Sequence, residues 1–99
     1  MINMTDVAEI EHQLRAALQP LKLIVRDDGH LHIGHAGHGH FHVEIVADCF
    51  CKKGRIARHR IVYDILKNQM QSGSIHALAI LALTPLEYDK TLSSYKRSC

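Results

Sequence analysis

The sequence predicts an α+β fold: a small three-stranded mixed sheet packed by helices, in the order helix, strand, strand, helix, strand, helix. Three observations carry this. From Arg55 to Met70 the apolar residues Ile61, Val62, Ile65, Leu66 and Met70 recur at helical spacing. Phe41, Val43 and Ile45 alternate with His40, His42 and Glu44, the period-two signature of a half-buried strand. Behind Ser72-Gly73-Ser74, the run from Ile75 to Leu83 is too apolar for an exposed strand and short for a core helix. It is expected as a strand buried on both faces.

Taken in order, Asp6 is suited to cap a first helix, with Glu9 three residues on to complete a reciprocal capping pair. Val7, Ile10, Leu14, Ala17 and Leu18 then share one face, and Pro20 ends the helix. Leu21 to Arg26 is a β-prone run closed by Asp27-Asp28-Gly29. His30 to Gly39 has little to bury and reads as a loop before the alternating strand. Lys52-Lys53-Gly54 makes a basic turn into the long helix, which Gly73 is placed to end. Thr84-Pro85-Leu86-Glu87 is a strong start for a last helix: a Thr cap, Pro at the first position and Glu at the third. That helix is expected to run through Tyr88 and Leu92 and fray near Ser98. The hairpin predicts an antiparallel strand pair, and the helix before the third strand permits a mixed sheet.

Residues 1–99 read as a single domain, with no repeat and no linker, large enough to bury a modest core. No run approaches the roughly 20 apolar residues that span a bilayer, and the N-terminus lacks a basic head followed by an apolar stretch. A formal charge of +2 is too small to argue for nucleic acid by itself. Cys49, Cys51 and Cys99 form neither a Cys-x-x-Cys pair nor an even framework. Reduced thiols in a cytoplasmic compartment are the expectation, with no role for Cys49 or Cys51.

Nine histidines are the unusual figure. His30, His32, His35, His38, His40 and His42 crowd into thirteen residues, while His59 and His76 lie far downstream. Neutral imidazole binds zinc, copper, nickel and iron, but most iron–sulfur clusters need thiolates, and no thiolate here has the spacing to hold one alone. A His-rich loop and one distant His can supply two nitrogens to a site that another molecule completes. No nucleophile, base and orienting group can be read from the spacings, so an enzyme is not expected. His59 shares a helical face with Val62, Leu66 and Met70 and reads as structural, tying the helix start to the sheet.

Several words in order resemble those of the BolA-like proteins: His40-Phe41 with Val43, Ile45 and Val46, then Phe50. Arg58-His59-Arg60 with Val62-Tyr63 follows, then Ile75-His76-Ala77-Leu78, and last Thr84-Pro85 with Glu87-Tyr88. The resemblance runs from about Leu14 to Tyr88 and implies the class II K-homology arrangement. It also implies a partner, a monothiol glutaredoxin with glutathione, and a 2Fe–2S cluster shared between the two proteins. On this resemblance one ligand is His76. The second falls in the first interstrand loop, where the spacing after Asp27-Asp28 favours His32, with His30 and His35 as alternatives. The isolated protein is expected to carry no cluster and to be a monomer or weak homodimer, without membrane association.

The alternative is a nucleic-acid-binding transcriptional regulator using the basic head of the long helix: Lys52, Lys53, Arg55, Arg58 and Arg60. Arg58 and Arg60 otherwise read as a solvated helix head. Gly34-His35-Ala36-Gly37 matches the Gly-x-x-Gly clamp of K-homology domains, but it lies between the first two strands rather than ahead of the long helix. Plain zinc or nickel binding by the His tract is a third and weaker reading.

Overall fold

The computed structural model describes residues 6–28 and 39–89. Helix α1 (Val7–Leu18) leads to strands β1 (Lys22–Asp27) and β2 (His40–Val46). After a one-turn 3-10 helix (Asp48–Phe50) come α2 (Arg55–Ile65), α3 (Lys67–Ser72), β3 (Ala77–Leu83) and α4 (Pro85–Tyr88). The predicted α+β order is present, with β2 central, β1 antiparallel to it and β3 parallel to it.

The alternation of β2 sets the layers. Phe41, Val43 and Ile45 are buried and join Leu23 and Val25 of β1, Ile10 and Leu14 of α1, and Val62 and Leu66 in one core. Helices therefore cover one face of the sheet. The other face stays open along its middle: Ile24, which is paired with Glu44, is 36% exposed, and Leu81, paired with the same Glu44, is 43% exposed.

That one-sided layering corrects the reading of the third strand. Its exposure alternates, with Ala77, Ala79 and Leu81 outward, so it is an edge strand with one face open rather than a strand buried on both. Its lack of polar residues hides the alternation. The strand also begins two residues later than expected. Ile75 is a buried turn residue whose N–H donates to the Gln69 carbonyl at 3.0 Å.

The long helix is two. Leu66, at φ −100° and ψ 15°, leaves helical geometry between α2 and α3 while its side chain stays fully buried. Gly73 ends α3 at φ +85°, the left-handed conformation that favours glycine. The Thr84 capping box is complete, but α4 closes at Tyr88 because Asp89 is extended; Leu92 and Ser98 lie outside the described residues. At α1, Asp6 Oδ1 accepts from the Glu9 N–H at 2.9 Å. The return bond of that pair is absent: the Glu9 carboxylate accepts instead from Gln69 Nε2 of α3, at 3.1 Å.

The cysteines also depart from expectation. Cys51 is disulfide-bonded rather than reduced. Cys49 is the free thiol among the described residues; it sits half-buried against the core, and burial raises its pKa. An odd cysteine count without a motif leaves such pairing invisible in sequence.

Candidate functional site

Parallel pairing of β2 with β3 brings the starts of both strands together, His40 beside Ala77. Immediately before them stand Gly39 and His76. The Gly39 carbonyl accepts two hydrogen bonds, from the His76 N–H at 2.8 Å and the Ala77 N–H at 3.1 Å. Buried Ile75 roots the turn on one side and the α3 terminus on the other. The backbone of His76 is thus fixed while its side chain is exposed. No hydrogen bond engages its ring among the described residues. A core histidine would be buried and bonded; this one is neither.

The β1–β2 connection arrives at the same place. It leaves β1 at Asp28, whose N–H donates to the His40 carbonyl at 2.8 Å, and rejoins the sheet through Gly39. His30, His32 and His35 belong to this connection and lie outside the described residues. Chain topology places one of its ends, Gly39, beside His76; the other, Asp28, lies across β2 from β3. Of the histidines on β2, His42 has Nε2 3.4 Å from Glu44 Oε2, too long for a normal hydrogen bond. Among the described residues no three His, Cys, Asp or Glu side chains converge as a metal site. His76 is a single exposed donor, and its chemistry suits a site whose other ligands come from elsewhere.

The basic residues divide. Lys52, Lys53, Arg55 and Arg60 are exposed around the α2 N-terminus, which Gly54 leaves without a side-chain cap and whose first turn has no acidic residue. Arg58 is not part of a solvated head, its side chain being only 14% exposed. Its Nε donates to the Lys53 carbonyl at 2.7 Å and its Nη1 to the Ala82 carbonyl at 3.0 Å. The guanidinium also grips both Glu87 oxygens, at 2.6 and 3.2 Å. These bonds hold the Glu87 carboxyl below its ordinary pKa, helped by the Thr84 backbone N–H. The tie to the sheet expected of His59 is therefore made by Arg58; His59 is half-buried. A cleft of about 250 Å³ between Lys52, Lys53, Gly54, Arg58, Thr84, Leu86 and Glu87 opens here. It lies at the far end of β3 from His76, six residues along or roughly 20 Å.

The residue that sequence reading passed over is Gly39, absorbed into the loop. Its only signal was its place immediately before a strand that starts beside a histidine turn.

Residues 14–87 match the sequence profile of the BolA-like proteins. The chain belongs to the BolA-like family. Its BolA-like sequence is 40% identical over 87 residues to SufE-like protein 1, chloroplastic/mitochondrial, of Arabidopsis thaliana, covering 79% of this chain and 23% of that protein. It is 40% identical over 81 residues to the DNA-binding transcriptional regulator BolA of Escherichia coli, covering 81% of this chain and 76% of the regulator. The solved BolA domain of SufE1 from Arabidopsis thaliana superposes with a TM-score of 0.75 at 42% identity, covering 81% of this chain and 92% of that domain. The chain thus spans under a quarter of the plant SufE-like protein, and the match to that protein's solved BolA domain nearly fills the domain. Among the described residues, no helix is long and apolar enough to cross a membrane.

Proposed function

We propose that this BolA-like protein is a non-enzymatic adaptor in iron–sulfur cluster handling, acting with a monothiol glutaredoxin and glutathione. The 2Fe–2S cluster is cargo shared between the partners for assembly, transfer or iron-status signalling. His76 supplies one nitrogen, and His32 the second, with His30 and His35 as alternatives. The observation that supports this is the exposed His76 ring on a backbone locked to Gly39, where the histidine-bearing connection re-enters the sheet. With the backbone already held, only the side chain of His76 has conformational freedom to lose on ligating a partner's metal. Mixing the full chain with cluster-loaded glutaredoxin and glutathione is expected to give a heterodimer on a sizing column with an altered visible spectrum. Separate elution with an unchanged spectrum would sink the reading.

A second reading, nucleic-acid binding, is favoured by one specific observation. The exposed cations Lys52, Lys53, Arg55 and Arg60 surround an uncapped helix N-terminus, and a relative is named a DNA-binding regulator. Anisotropy titration of a labelled duplex at two salt concentrations tests it. Tight, sequence-dependent binding at physiological salt by the chain alone would place this reading first.

A further inference from the structure

We propose that Gly39 is the positioning residue of the His76 ligand, setting the orientation of its ring. This rests on the adaptor reading and extends it to a residue that is not itself a ligand.

Three facts about Gly39 converge. Its φ is +75°, in the left-handed region that favours glycine. Its carbonyl holds the N–H groups of both His76 and Ala77. A Cβ at this position would meet the Ser74 carbonyl oxygen at 2.8 Å, the His76 nitrogen at 3.0 Å and His76 Cδ2 at 3.2 Å. Two of those atoms are backbone in a turn rooted by buried Ile75, so they have little room to yield. The third is the imidazole itself. The bare Cα of Gly39 is therefore one wall of the space in which the ring lies. Ligation tolerates only small errors of ring placement, so supporting residues of this kind are as consequential as ligands.

Gly73 provides the contrast. It too has a positive φ, +85°, yet a Cβ there would come no closer than 4.0 Å to His76 Nε2, an ordinary contact. Gly73→Ala therefore imposes similar backbone strain without pressing on the ring. Gly39→Ala adds both strain and contact. Gly39→Asn adds the contact with less strain, since Asn enters the left-handed region more readily.

The experiment uses the full chain as wild type, Gly39→Ala, Gly39→Asn and Gly73→Ala. Thermal melts, NMR of the His76 ring and resistance of the glutaredoxin-shared cluster to a chelator are compared. Both Gly39 variants are expected to shift the His76 ring resonances and to lose cluster affinity by about tenfold to a hundredfold. Gly73→Ala is expected to melt lower yet keep ring resonances and cluster. Folded Gly39 variants with unmoved ring resonances and wild-type cluster retention would overturn the proposal. Amide exchange of His76 and Ala77 in the free wild type reads the same anchor without substitution: slowed exchange supports it, and exchange at the open-chain rate overturns it. A wild type that forms no shared cluster refutes the adaptor reading instead, and the ring resonances still decide the role of Gly39.

Discussion

An imidazole at the head of an apolar strand either completes a core or faces a partner, and the two roles respond oppositely to truncation. Removing a buried, bonded histidine leaves a cavity and an orphaned partner, costing on the order of 2 kcal/mol or more. His76 is exposed, and its fixed part is backbone that survives in alanine. His76→Ala is therefore expected to change stability by no more than about 0.5 kcal/mol in a thermal melt. In glutaredoxin mixtures it is expected to abolish the spectrum of the shared cluster. His32→Ala is expected to weaken that spectrum less, because His30 and His35 are nearby imidazoles on the same connection. A wild-type spectrum from His76→Ala would remove His76 as ligand. His76 could be singled out in the sequence because it stands inside a recognisable word, Ile75-His76-Ala77-Leu78. Gly39 could not, because a glycine in a glycine-rich loop looks like any other until its neighbours across the turn are known.

At the scale of elements, α4 and α2 are clasped to the edge of β3 by Arg58. Its bonds to the Lys53 and Ala82 carbonyls close backbone groups at the α2 entry and the free strand edge, and its grip on Glu87 fixes the single turn of α4. Arg58→Ala is expected to cost about 1–3 kcal/mol in denaturant unfolding, mostly from the lost carbonyl bonds. Glu87 is 47% exposed, so its ion pair counts for less, under about 1 kcal/mol. Its folded pKa lies below the unfolded value, so its contribution is present above the ordinary carboxylate range and disappears as pH falls through the folded pKa. Glu87→Gln is thus expected to narrow the stability gap between neutral and acid pH, read from melts across that range. An unchanged gap would mean that the clasp stabilises nothing. The capping box of α4 was readable because cap, proline and glutamate are local chemistry. The break at Leu66 was not, since its apolar spacing continues through it. The open face of β3 escaped because alanine and leucine carry no polar mark of which side meets solvent.

Across the whole molecule, β3 separates two surfaces: His76 at its start and the basic α2 head at its end, roughly 20 Å apart. Sites this far apart, with no shared hydrogen-bond partner among the described residues, should respond to substitution independently. Replacing Lys52, Lys53, Arg55 and Arg60 with Gln removes the exposed cations while sparing Arg58, whose loss would loosen the fold. Each phosphate that is no longer neutralised should lower the slope of log affinity against log salt by about 0.9 for duplex DNA. If the head binds DNA, the quadruple variant is expected to lose most of its salt dependence in an anisotropy titration while forming the glutaredoxin-shared cluster as the wild type does. His76→Ala is expected to show the mirror pattern, full DNA affinity and no shared cluster. Loss of both activities in either variant would mean that the two ends of β3 form one site, and the assignment of cluster and nucleic acid to separate surfaces would fall.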